Sequence, residues 1–228
     1  MNNEGQFSIR GYEQAGGSAV SVNQVIRNTY LLLSMTLFFS AACAVTTMVM
    51  GVSQMTGFLL FIGGFITVFV VQATARSTKG LFWIFVFAGL MGSALGPIIS
   101  VYLQAYANGG VIVAQALGGT ALIFLTLSGY VLATGKNFSY MGGFLMVGLI
   151  VAIVAMIANI FLQIPALSLA ISSAVIMIMS GFILYDTSRI VHGGERNYIL
   201  ATIGLYLSIF NIFIHLLNLL GALTGNRQ

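Results

Sequence analysis

The chain has 228 residues, of which 59% are hydrophobic and only 5% are charged, with a formal net charge of +4. A soluble domain is about 25% charged, so eight Lys/Arg and four Asp/Glu cannot clothe a water-solvated surface of this size. Together with a mean hydropathy of +1.03, this makes lipid the principal solvent and excludes a nucleic-acid groove.

Residues 1–27 are polar and Gly/Ser-rich (MNNEGQFSIRGYEQAGGSAVSVNQVIR) and predict a flexible cytosolic tail ending in a short amphipathic lead-in. Seven apolar runs follow, at 29–50, 57–75, 81–103, 111–133, 141–163, 167–187 and 199–221. Each is close to the ~20 residues a helix needs to cross the bilayer. Backbone groups in lipid must be satisfied within the segment, so the runs predict helices and not strands. The expected organisation is a seven-helix bundle over 28–223 and a short C-terminal tail at 224–228. The first run admits another reading. Arg27, LLLSMTLFF and Ala42-Cys43-Ala44 resemble a signal peptide with a small-residue cleavage site. Apolarity that continues to Met50, and the long polar stretch before it, favour a retained span. A lipoprotein Cys43 would want Leu where Ser40 stands.

Lys and Arg set the orientation. Arg10 and Arg27 precede the first run; Arg76 and Lys79, Lys136, and Arg189 and Arg196 lie in the second, fourth and sixth connections. The first, third and fifth connections carry none. The basic side is expected to be the cytoplasm. Arg227 follows the last run: a full crossing puts it and the C-terminus in the periplasm, and a re-entrant segment puts it inside.

Small residues mark close helix approach. Gly92-Ser-Ala-Leu-Gly96 is a GxxxG followed by Pro97, and Gly63-Gly64, Gly118-Gly119 and Gly142-Gly143 lie in or at the starts of other runs. They predict packing inside the bundle, with a dimer face as the alternative. The last run carries Ser208, Asn211, His215 and Asn218 at spacings of three, four and three, with Gly204 one step earlier. These share one helix face. Unpaired amide and imidazole groups are costly in hydrocarbon, so this helix is expected at the centre. Its stripe reads either as interhelical hydrogen bonds or as a conducting path. Asp186 is the one acidic residue inside a run; it reads as a functional carboxylate or as a helix-end partner of Arg189 at i+3.

Catalytic readings fail on the residues. An intramembrane aspartyl protease needs a second carboxylate beside Tyr185-Asp186. A Ser128–His215 pair lacks the preceding glycine of a rhomboid-type GxSG, because position 126 is Thr. No GxxxxGK[ST] loop is present, and His192 and His215 belong to no spaced Cys/His cluster. Neither enzyme activity nor a cofactor is expected.

The stretch GFILYDTSRIVHGGERNYILATIGLYLSIFNIFIHLLNLLG resembles the Bax inhibitor-1 family. VIRNTYLLLSMTLFFSA, GPIISVYL, ALGGTALIFL and ANIFLQIPAL extend the resemblance over roughly residues 24–223. It implies an all-α integral membrane protein of the bacterial inner membrane, with six helices around a central C-terminal seventh. It also implies one of two activities. Some members are regarded as substrates and modulators of the membrane-anchored ATP-dependent protease FtsH. Others are regarded as pH-sensitive calcium leak channels gated by two aspartates. The first aspartate falls on Asp186; the second, in a motif LYLD, is replaced here in Leu205-Tyr206-Leu207-Ser208. One carboxylate and one hydroxyl share a proton or ligate Ca²⁺ poorly. The primary expectation is therefore an interaction partner and modulator of an FtsH-type protease. The alternative is a leak for calcium or another cation, with Asp186 at the cytoplasmic gate and Arg189, Ser208, Asn211, His215 and Asn218 in its polar core.

Overall fold

The computed structural model describes residues 4–224, with side chains from Val22 onward. Its helices are α1 (Glu4–Val49), α2 (Gln54–Thr74), α3 (Thr78–Ala105), α4 (Gly109–Thr134), α5 (Gly142–Leu162), α6 (Pro165–Val191) and α7 (Tyr198–Thr224). A 3₁₀ turn, Ser139–Met141, leads into α5. Seven segments are long and apolar enough to cross a membrane, and the first begins at Val22. Each contains or closely overlaps one of the predicted runs. α1 continues back to Glu4, so the stretch read as a tail carries helix where it is described. It holds no proline, and a helix already nucleated by the span gains one bond for each residue added. The C-terminal tail after Thr224 lies outside the described residues.

The helix ends follow local chemistry. Ser53 caps α2, its hydroxyl accepting from the Thr56 N–H at 3.2 Å. Pro165 stands in the first turn of α6, where its missing N–H has no partner to lose. Gly135 ends α4 at φ 62°, the left-handed conformation that satisfies a terminal carbonyl, and its N–H donates to Val131 O at 2.9 Å.

α7 is the axis of the bundle. It packs against α1, α2, α3, α4 and α6; α5 lies outside, against α6. In its most apolar 18-residue stretch α7 is 56% buried, against 11% for the fifth span. Leu205, Ile212 and Leu217 are wholly enclosed, and Tyr206 meets the Phe87 ring edge-on at 4.9 Å between centroids. α7 also runs the full depth of the bundle. At its start the Asn197 amide donates to Ala75 O, at the foot of α3, at 2.8 Å. At its end the Asn108 amide, just past the top of α3, donates to Thr224 O at 2.8 Å. α7 thus runs the same length of the bundle as α3, as a complete crossing requires.

The GxxxG packs α3 onto α1. A Cβ on Gly92 would strike the Ser40 carbonyl, and one on Gly96 would strike the Thr47 hydroxyl and stand 2.6 Å from Ala44 O. The motif is thus internal and not a free dimerisation face. Pro97 deprives Ser93 O of its helical donor. The Thr47 hydroxyl stands 2.9 Å from that carbonyl, its shortest acceptor contact. The Gln54 amide donates to Pro97 O at 2.7 Å. A proline inside a lipid-solvated helix is tolerated because neighbouring side chains re-satisfy its backbone.

Candidate functional site

The polar residues of the bundle gather along the seam between α6 and α7, in three groups. At the basic end, the loop after α6 folds back on itself. Arg189 pairs with Glu195 at 3.5 Å, donates to Gly194 O at 3.3 Å and lies over the Tyr185 ring at 5.5 Å. Glu195 in turn accepts from the Asn197 N–H at 2.9 Å. Asn197 Oδ1 then caps α7, accepting from Ile199 N–H at 2.9 Å and Leu200 N–H at 3.3 Å. Next to this, the buried Ser188 hydroxyl accepts from Phe138 N–H at 2.8 Å and donates to Asn137 at 3.3 Å, docking the loop between α4 and α5. All three connections of this end are thereby tied together.

One turn inward stands Asp186. Helical spacing offered Arg189 as its partner, but the guanidinium turns to Glu195 instead, because the loop brings a better-placed carboxylate within reach. Asp186 has no hydrogen bond or ion pair among the described residues. It packs on Gly204 of α7, where a Cβ would stand 2.7 Å from its Oδ2. Gly204 therefore lets α7 pass the carboxylate at close quarters. Ser208 lies one turn further on, 2% exposed, and makes no hydrogen bond to Asp186.

Beside Asp186 the chain builds a hydroxyl cluster that the sequence analysis did not anticipate. Tyr30 of α1 hydrogen-bonds Ser128 of α4, and Thr187 of α6 lies 3.3 Å from Ser128 and 3.4 Å from Tyr30. Ser128 is thus committed to Tyr30, far from any pairing with His215. Two more cross-bundle contacts join α1 to α7: Ser40 to Tyr206 at 2.6 Å, and the Thr202 hydroxyl to Thr29 O at 3.3 Å. Thr29, Thr36 and Ser40 are all buried on α1. Their spacing of seven and four is a one-face polar stripe, the signal by which the contacts of α1 with α7 could have been found.

Towards the opposite face the stripe of α7 is used as interhelical bonding. His215 Nδ1 lies 3.0 Å from Ser172 Oγ, and the Asn218 amide donates to Ser168 at 3.1 Å and to Ser172 at 2.9 Å. Asn211 differs: it donates to Leu207 O of its own helix at 2.8 Å. The six sequence-selected residues are thus collected on one seam but not into one site. Among the described residues no group of three or more His, Cys, Asp or Glu is placed to hold a metal ion.

Comparison with known proteins places this geometry in context. The family model described as "Inhibitor of apoptosis-promoting Bax1" matches residues 22–225, all seven spans. The chain is 48% identical over 204 residues to the Modulator of FtsH protease YccA of Escherichia coli K12, covering 90% of this chain and 92% of that one. It is 48% identical over 208 residues to a membrane protein of Vibrio cholerae, covering 91% and 93% respectively. A Pseudomonas aeruginosa protein is 43% identical over 205 residues, with 90% and 92% covered.

Proposed function

The chain belongs to the Bax inhibitor-1 family, and from that premise we propose that it modulates a membrane-anchored ATP-dependent protease of the FtsH type and is itself a substrate of it. The observation that carries this reading is the near full-length identity of 48% to a protein named for that role. The bonding of the bundle supports it. Its hydroxyl, imidazole and amide groups bind one another across helices, as in a stably packed interaction protein, and Ser128 and His215 serve different partners. In this reading the protein lies in the bacterial inner membrane with its Lys/Arg-rich connections in the cytoplasm. α7 crosses completely in this reading and carries the C-terminus to the periplasm. The polar residues before Val22 supply the cytosolic end from which the protease pulls.

Two measurements test this. The tagged full-length chain, extracted from native bacterial membranes, is expected to co-purify with an FtsH-type protease. Deletion of residues 1–20 is expected to leave the bundle inserted and slow its turnover. Failure to capture the protease, with turnover unchanged in cells lacking it, would overturn the proposal.

A second reading, a leak for calcium or another cation, draws on one observation: the Asp186 carboxylate faces Gly204 without an ion-pair partner among the described residues. Ser208 stands where a second carboxylate would complete a proton-sharing pair. Little calcium flux is therefore expected from the unmodified chain in dye-loaded liposomes. A strong flux gated by pH would make this reading the primary one.

A further inference from the structure

A crevice of about 580 Å³ lies between α1, α3, α4 and α7 in the half of the bundle away from the basic loops. Its walls include Ala44 and Val45 of α1, Ile99 of α3, and Leu117 and Ala121 of α4, and Phe210 of α7 lies at its floor. α1 and α4 both pack on α7, and their backbones stay apart; they meet through the Tyr30 side chain, which touches Ser128 and Phe124 towards the basic end. The crevice therefore opens sideways between them, past the exposed Val45, Leu117 and Leu125. At this depth the surrounding medium is hydrocarbon.

We propose that this crevice is a binding site for one acyl chain of a phospholipid from the leaflet opposite the basic loops. Its chemistry leaves nothing for water or an ion. The Ser40 hydroxyl is bonded to Tyr206 at 2.6 Å and the Thr120 hydroxyl donates to Ala116 O at 2.7 Å. A cavity without free polar partners does not hold water, and an empty one forfeits the dispersion contacts of its walls. Its depth matches one leaflet. On α1 it runs from Leu37 to Met48, about 16 Å at 1.5 Å per residue, roughly half of a ~30 Å hydrocarbon core.

Its depth selects a chain over a helix. A partner helix crossing the ~30 Å hydrocarbon core would leave about half its length beyond a crevice that runs only from Leu37 to Met48 on α1. Because lipid tails and the crevice wall are equally apolar, the hydrophobic effect does not drive entry. Filling of the void does, so occupancy depends on shape and is sensitive to side chains at the mouth.

The test uses the full-length chain in bilayers of phosphatidylethanolamine and phosphatidylglycerol doped with a phospholipid carrying a diazirine midway along one acyl chain. After irradiation the modified residues are mapped by mass spectrometry. Label is expected on Phe210, which is 4% exposed and lines the crevice, and on Ala44 and Val113. It should exceed the label per residue on the outer face of α5 severalfold. Ala121→Trp and, separately, Ala41→Leu fill the mouth from exposed positions and should each remove most of the Phe210 label. Unchanged label on α5 confirms that the variants are inserted. Absence of label on Phe210 in the wild type, or label indifferent to both variants, would overturn the proposal.

Discussion

Gly92→Ala asks whether the glycines of α3 set the position of α1. The added methyl would meet the Ser40 carbonyl and stand 2.6 Å from Ser40 Oγ and 2.7 Å from its carbonyl carbon. Carbon contacts relax near 3.5–4.0 Å, so α1 and α3 must part by about 1 Å. Two of these atoms are backbone and cannot rotate away. Overpacking of this kind costs about 1–3 kcal/mol. The displaced Ser40 hydroxyl is also the partner of Tyr206, and losing that buried bond adds about 0.5–1.5 kcal/mol. Alanine's better helix propensity returns about 1 kcal/mol, leaving a net loss of about 0.5–3.5 kcal/mol. Gly118 is the internal control, since a Cβ there meets nothing within 4 Å. Gly118→Ala should be neutral or slightly stabilising. Thermal melting of the purified variants in one detergent, with size-exclusion chromatography alongside, separates the two. A Gly92→Ala protein that melts like the wild type while its oligomeric state changes would refute internal packing and restore the dimer-face reading.

Three further outcomes follow from the same contacts. Thr47→Val leaves the Ser93 carbonyl above Pro97 without its 2.9 Å donor; a loss of about 1–3 kcal/mol should appear as a lower melting temperature, and an unchanged one would show that water serves that carbonyl. A double-mutant cycle between Ser172→Ala and Asn218→Ala should give a coupling of about 0.5–1.5 kcal/mol, the range for interhelical hydrogen bonds in lipid, and zero coupling would mean the 2.9 Å contact carries no net energy. Ser208→Asp should make any calcium leak in liposomes steeper in pH, because two neighbouring carboxylates share a proton. Asp186→Asn in that background should abolish the dependence, and a steep profile surviving it would place the titrating group elsewhere.

What the sequence disclosed divides along physical lines. A span is a property of about twenty consecutive residues, so hydropathy alone located all seven. Centrality was readable for α7 because lipid tolerates no polar stripe, and Ser208, His215 and Asn218 had to face protein. Pairing was another matter. The i+3 rule offered Arg189 to Asp186 as one of two readings because it counts only neighbours on one helix, whereas Glu195 arrives from a loop whose path no periodicity describes. Tyr30, Ser128 and Thr187 stand 98 and 157 positions apart from first to second and from first to third, and only the packed bundle brings their hydroxyls together. The position of α5 was equally hidden: its mean apolarity exceeds that of every other span, yet in lipid apolarity no longer signals the interior. In this chain the most hydrophobic helix lies outermost and the helix with the most conspicuous polar stripe lies at the centre. Polar residues on α1, α6 and α7 are therefore the better guide to which helices meet, and Gly204 beside Asp186 marks where α6 and α7 pass closest to the one carboxylate in the bundle.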